Sequence, residues 1–346
     1  MATRIGSRTV RLDRPPRVIA HAGLAGKKER EGPLAGRFDK TFADTTFGEK
    51  GWEKAERTLL RLTLGCALQK AKLPPSALDV IFAGDLENQC TASSFAFEDS
   101  GAPFCGLYGA CATMALTLGA AALAVESGAF RLAAAATGSH FCTAERQFRK
   151  PLEYGGQRSP TAQWTVTGAG AAILAAGGDS NDPRVTAVQF GTITDLGIKD
   201  GANMGAAMAP AAARTVADFL RDTGTAPGDY DLILTGDLGF IGSDLLCELL
   251  LREGIDIGAV HDDCGKMIYD RAAQDVHAGG SGCGCSASVL CSHVFDLLRS
   301  GRCQKVLFVA TGALLSATSA LQKETIPGIA HAVLLERGET EENAWT

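Results

Sequence analysis

Cys111 is the residue best placed for chemistry. It stands in Gly109-Ala110-Cys111-Ala112 and opens an uncharged run, Ala110 to Val125, that reads as a helix. A thiol at a helix N-terminus lies among unpaired backbone N–H groups at the positive end of the dipole, which favours thiolate and therefore nucleophilic attack. A Cys among Gly and Ala also reads as an inert, small core residue. Acyl transfer through such a thiol needs a base and an oxyanion donor as well. The other clusters supply neither. Cys283-Gly284-Cys285 with Cys291 lacks the spacing of a zinc site, so no metal and no cofactor are expected. His261-Asp262-Asp263 sets two carboxylates beside an imidazole but reads as a polar loop. Gly201 to Gly205 has neither the Lys nor the following helix signal of a phosphate loop. Thr143 to Gly156 is a charged insert, either a surface loop or a lid or partner contact.

The elements that must position Cys111 are visible because the chain repeats itself. Leu73 to Leu86 parallels Ala226 to Leu238, with Pro75, Asp79, Gly84, Asp85 and Leu86 meeting Pro227, Asp231, Gly236, Asp237 and Leu238 at one offset. Arg17 to Ala20 recurs at Arg184 to Ala187, Tyr108 to Met114 at Ser281 to Ala287, Ser127 to Gly138 at Ser300 to Gly312, and Gly168 to Leu174 at Gly328 to Leu334. Chance similarity would not keep that order. Each half reads as strand, helix, strand, helix, strand, strand. Val80 to Ala83 and Leu232 to Thr235 are short apolar runs suited to central strands, and the pattern over about 52–71 is an amphipathic surface helix. Ala110 to Val125 is apolar on every side and Cys285 to Leu298 nearly so, which requires cover on every side. The division predicted is a basic arm over 1–16, a first half over 17–180 with an insert at 139–164, a second half over 181–337, and an acidic tail over 338–346.

Composition agrees with such a core. Hydrophobic residues make up 46% of the 346, yet there are 41 Gly and only 6% aromatics, so small side chains carry the apolar content and let backbones pack closely. The formal charge of −6 argues against strong nucleic-acid binding by bulk charge. Eleven cysteines, an odd number, with Cys66, Cys105, Cys111, Cys291 and Cys303 inside apolar runs, read as reduced, buried thiols of an intracellular protein. The N-terminal Arg residues precede no apolar segment, so no secretory signal is expected; the arm reads as an edge strand with solvated charges or as a contact with anionic lipid. Ser100 to Val125 is uncharged and long enough to cross a bilayer. Gly101, Pro103, Gly106 and Gly109 break it, so it reads as a loop feeding a buried helix, with no transmembrane span.

The Gly109 to Ala112 segment entering a small-residue helix, and Thr167-Gly-Ala-Gly-Ala-Ala-Ile-Leu174, resemble the nucleophile segment and a core strand of the ketoacyl synthases and thiolases. The resemblance covers nearly the whole chain. It implies the α/β thiolase fold, with duplicated βαβαββ halves forming a five-layered α-β-α-β-α sandwich and Cys111 at the nucleophile position. The family's His and Asn partners are not matched. Gly236-Asp237-Leu238-Gly239 stands where the first belongs, and His277 to Cys285 offers only His277 near the second. A carboxylate at Asp237 would disfavour a thiolate and an enolate alike.

Longer motifs narrow the resemblance: Ala83 to Gln89, Tyr108 to Cys111, Ala144 to Arg149, Glu153 to Gln157, Trp164 to Gly168 and His277 to Gly284. They resemble a non-enzymatic, spore-associated branch of the superfamily. That implies a peripheral protein of the inner spore membrane, acting with other subunits of a channel complex. It would bind dipicolinic acid, with calcium entering only as part of the ligand, for uptake in sporulation and release in germination. The binding set so implied is Asp85, Tyr108, Cys111, His140, Asp237 and His277, around two helix N-termini suited to anions. The alternatives are an acyltransferase using Cys111 with His277, and a scaffold without ligand. A homodimer is implied too, through Leu132 to Ala136 taken as an edge strand.

Overall fold

The computed structural model describes residues 2–149 and 157–338. The middle of the expected insert and all but the first residue of the expected tail therefore lie outside the described residues. The arm forms a hairpin, β1 Thr3–Ile5 and β2 Thr9–Arg11. The first half runs β3 Arg17–Ala25, β4 Lys40–Thr41, α1 Trp52–Ala71, β5 Val80–Gly84, α2 Thr91–Ala96, β6 Phe104–Gly106, α3 Thr113–Glu126, β7 Leu132–Ser139, α4 Phe141–Ala144, β8 Trp164–Thr165 and β9 Gly168–Ala175. The second runs β10 Arg184–Phe190, α5 Met204–Thr223, β11 Leu232–Thr235, α6 Gly239–Arg252, β12 His261–Asp263, α7 Cys264–Met267, β13 Gly280–Ser281, α8 Cys283–Val289, α9 Phe295–Arg299, β14 Lys305–Ala313 and β15 Gly328–Glu336.

The duplication is carried into the sheets. Strand order β3-β9-β7-β5-β6 in one half is matched by β10-β15-β14-β11-β12 in the other, and the two join edge to edge where Arg17 pairs with Arg184. Helix α1 covers the outer face of the first sheet, α5 with α6 covers that of the second, and α3 and α8 lie inside. These are the five layers expected. The interior helices fit because their neighbours lack side chains: a Cβ on Gly170 of β9 would fall 2.1 Å from the carbonyl oxygen of Ala287 in α8. A π-turn at Leu290–Val294 joins α8 to α9, so the helix read from Cys285 starts two residues earlier and is under-wound midway.

Three expectations need correction. His261–Asp263 is the edge strand β12, parallel to β11, and not a loop; His261 and Asp262 stay partly exposed, and buried Asp263 is satisfied by hydrogen bonds. Leu132 to Ala136 is not an edge, since β7 pairs with both β5 and β9; the outer strand of that half is β6, whose Cys105 is exposed where a buried thiol was expected. A helix does follow Gly201 to Gly205, with the Asn203 side chain accepting from the Ala206 N–H at its start. The edge-strand reading of the basic arm agrees with the structure, where the arm is a hairpin with β2 paired to β10 and the N–H groups of Ser7, Arg8 and Thr9 held by Asp222 at 2.8, 2.8 and 3.0 Å. Among the described residues no helix is long and apolar enough to cross a membrane.

Candidate functional site

Cys111 lies just ahead of α3, in a loop that its own chain could not hold alone. Ala110 has φ +49°, a left-handed conformation that is costly for a residue with a Cβ. Thr113 fixes the turn, its hydroxyl accepting from Gly109 N–H at 3.1 Å and donating to Ala110 C=O at 2.6 Å. Across the midline, Gly312 of β14 comes so close that a Cβ there would sit 2.6 Å from the Gly109 oxygen and 3.2 Å from the Cys111 nitrogen. Leu86, Ala144 and Cys283 pack around the Cys111 side chain, with Phe148 against them. Tyr108 beside it is half exposed; burial pushes its pKa up to about 12, and the neighbouring Cys111, Cys283, Cys90 and Asp85 add to the shift.

Asp85 and Asp237 occupy equivalent places after β5 and β11, yet they do different work. Asp85 turns back into its own half, accepting from the N–H groups of Glu87 at 2.8 Å and Ser93 at 2.7 Å, and so secures the start of α2. In the second half that task falls to Asp263, which accepts from Leu238, Gly239 and Gly265 N–H, each at 2.9 Å, and from Thr235 at 2.6 Å. Asp237 is thereby released inward. It accepts from Gly282 N–H at 2.8 Å, Thr311 hydroxyl at 2.8 Å, Ser281 hydroxyl at 3.1 Å and the thiol of Cys111. Burial raises the pKa of both Asp85 and Asp237, and the hydrogen bonds oppose the rise.

A second group of acids adjoins. Glu56 of α1 is fully buried, takes a hydrogen bond from Thr143, and has its pKa driven well up by burial, then by Asp85 and Glu87. Burial, then Asp85, lifts Glu87 to about 8. One carboxyl oxygen on each, Oε1, has no hydrogen-bond partner among the described residues. Among the described residues no cluster of these side chains has the arrangement of a metal site.

Four of the six residues expected together meet, and the other two stand elsewhere, each in its own place. Asp85, Tyr108, Cys111 and Asp237 lie within electrostatic reach of one another around Cys283. His140 does not join them, because it caps α4: its Nδ1 accepts from Cys142 N–H at 3.1 Å, its Nε2 lies 2.7 Å from Thr45 C=O, and its ring packs on Trp52. His277 also stands apart, with Nδ1 2.7 Å from Ser159 C=O and Nε2 2.9 Å from Asp275, on a surface groove. The imidazole that does approach the Cys111 loop is His331 of β15, near Gly109, with Gly191 N–H donating to Nδ1 at 3.1 Å and burial lowering its pKa to about 4. Sequence reading missed His331, Glu56, Glu87, Asp263 and Thr311. Of these, Thr311 was within reach, since it matches Thr137 in the repeat.

Comparison with known proteins bears on the site. Residues 6–336 match the family described as Stage V sporulation protein AD. The chain is 46% identical over 332 residues to stage V sporulation protein AD of Bacillus subtilis (strain 168), covering 96% of this chain and 97% of that protein. Among solved structures, 3-oxoacyl-[acyl-carrier-protein] synthase III of Aquifex aeolicus superposes with a TM-score of 0.55 at 12% identity, covering 93% of this chain and 99% of that one. Human mitochondrial 3-ketoacyl-CoA thiolase, solved with CoA, gives 0.57 at 13% identity, with 94% and 99% covered. The fold is that of the thiolases.

Proposed function

This chain belongs to the stage V sporulation protein AD family, and from that premise we propose that it is a binding protein on a thiolase fold, without catalysis, whose ligand is dipicolinic acid or its calcium chelate. It would serve as a peripheral member of a channel complex at the inner spore membrane, with other subunits, in uptake during sporulation and release during germination. One observation carries the reading against catalysis: the side chain that meets Cys111 is the buried carboxyl of Asp237, while His140 and His277 are engaged elsewhere. A condensing or thiolytic reaction builds negative charge on sulfur and on the substrate oxygen, and a neighbouring carboxylate opposes both.

A pyridine dicarboxylate would meet the same repulsion unless the acids are neutralised. Asp85 and Asp237 are each supplied with backbone or hydroxyl donors, which supports a site where the acids build the walls and leave the ligand to other groups. We assign half-exposed Tyr108 and the Cys111 thiol, which packs with Leu86 and Ala144, as the groups that would meet it.

Calorimetric titration of the full chain with dipicolinate, with and without calcium, tests the reading. Saturable heat that falls in Tyr108→Ala and Cys111→Ala is expected. No heat in any condition from a folded protein would sink it and leave the scaffold reading. Transfer of an acyl group from acyl-CoA to Cys111 would establish the acyltransferase instead.

A further inference from the structure

Away from Cys111, residues 157–160 and 271–277 face each other across an open groove of about 860 Å³. Its charges do not balance. Arg158 gives one nitrogen to Asp275, at 2.8 Å to the carbonyl and 3.2 Å to the carboxylate, while its other terminal nitrogen, Nη1, is buried with no acceptor among the described residues. Arg271 lies over the Phe240 ring at 4.5 Å and donates through Nε to His277 C=O at 3.1 Å, without a carboxylate partner among the described residues. Behind the groove, Lys28 and Arg158 both rest against Trp164, their charged groups 4.0 and 4.6 Å from the ring centre. Burial and then the charge of Arg158 hold the Lys28 ammonium below its ordinary pKa. The nearby acids are only partly committed, since among the described residues Glu29 Oε2 has no partner and Glu31 adds its charge near Lys28. Glu29 is bonded to the Tyr269 hydroxyl and Thr167 N–H, Asp270 caps the turn at Ala272 and Ala273, and Asp275 is shared between Arg158 and His277. Among the described residues Asp275 is thus the one carboxylate paired with either Arg158 or Arg271, and a buried guanidinium nitrogen left without an acceptor costs what a lost charged hydrogen bond costs.

We propose that this groove is a second binding site, separate from the Cys111 pocket, that takes an anionic group of phosphate or carboxylate type between Arg158 and Arg271. A guanidinium presents paired N–H donors that match either anion, and Trp164 behind it holds two cations in place by cation–π contact. The anion could be free in solution or the phosphate of a lipid headgroup. The inference does not depend on dipicolinate binding.

Trp164 supplies the readout. Tryptophan emission of the full chain is titrated with inorganic phosphate, and in a second arm with vesicles of phosphatidylglycerol against phosphatidylcholine. A saturable change is expected that disappears in Trp164→Phe, weakens about tenfold in Arg271→Gln and in Arg158→Gln, and strengthens in Asp275→Asn. Cys111→Ala should leave it intact. Response to phosphate assigns a soluble anion, and response to phosphatidylglycerol alone assigns a headgroup. No response in either arm, or a response unchanged in the folded double variant Arg158→Gln with Arg271→Gln, overturns the site. Loss of the response in Cys111→Ala would overturn its separateness.

Discussion

Cys111 and Asp237 come from opposite halves of the duplicated chain and are joined by a hydrogen bond from thiol to carboxyl. The loop before α3 and the segment after β11 meet here, so an acid of one repeat stands beside the nucleophile position of the other. Negative charge at Asp237 raises the cost of forming a thiolate beside it. Near neutral pH, iodoacetamide should label Cys111 more slowly than exposed Cys105, as read by mass spectrometry of the two peptides. Asp237→Asn should speed the Cys111 reaction by about tenfold, the effect of roughly one unit in thiol pKa. Unchanged labelling in a folded variant would mean that Asp237 does not restrain the thiol.

Asp85 offers a contrast, because both of its carboxylate oxygens accept backbone N–H groups at the start of α2. An amide can accept only one of them and sets its own N–H against the other. Asp85→Asn should cost about 1–3 kcal/mol in denaturant unfolding, and Asp85→Arg should fail to fold. Tyr108→Ala, at a half-exposed side chain, should unfold close to wild type while losing ligand. Wild-type stability in Asp85→Asn would return Asp85 to the list of ligand contacts.

The repeat made the architecture legible: equal spacing fixed which strands correspond, and the small-residue runs located the two interior helices. The edge strands β6 and β12 escaped because strands of three residues are too short to show a period. Burial alone did not reveal roles. Asp85 and Asp237 are indistinguishable in sequence, and only the presence of Asp263, brought up by β12, decides that one caps a helix and the other faces Cys111. Glu56 was hidden for another reason: it sits in an amphipathic helix among solvated charges, and only tertiary packing turns it inward.

The buried acids set a pH dependence with a definite sign. Glu87, about 8 in the folded chain against an ordinary 4.5, keeps its proton on folding while the unfolded chain has lost it. Its contribution is therefore full below about 4.5 and is lost as pH rises through about 8. The histidines act oppositely: His331, held near 4, contributes above its ordinary 6.5, and that contribution is lost on acidification. Glu87→Gln should raise the melting temperature at pH 9 by at least about 2 °C and change it less at pH 5. Equal shifts at both pH values would show that Glu87 is ionised when folded.

The β6 edge should pair two copies of the chain. Phe104 and Cys105 are exposed there, next to half-exposed Phe95 and Tyr108, and an open strand edge with apolar side chains favours association. Light scattering at micromolar concentration should report a dimer of the 36.0 kDa chain, shifted toward monomer by Phe104→Lys. A monomeric wild type would rule out pairing at this edge and at any other.

Glycine substitutions separate close packing from simple helix propensity. In β9, a Cβ at Gly170 meets backbone, 2.1 Å from the Ala287 oxygen and 2.5 Å from its carbon, so neither side can yield by rotating a side chain. Gly170→Ala must push α8 off the first sheet, at about 1–3 kcal/mol or more. Gly65, exposed within α1, has nothing within 4 Å of its would-be Cβ. Gly65→Ala should stabilise by about 0.5–1 kcal/mol, since alanine loses less backbone entropy in a helix. Both are read by urea unfolding with unchanged slope. A neutral Gly170→Ala would mean that α8 and β9 are spaced more loosely than the buried small-residue core requires, and the Cys111 and Asp237 segments that they hold in register would then have to be positioned by something else.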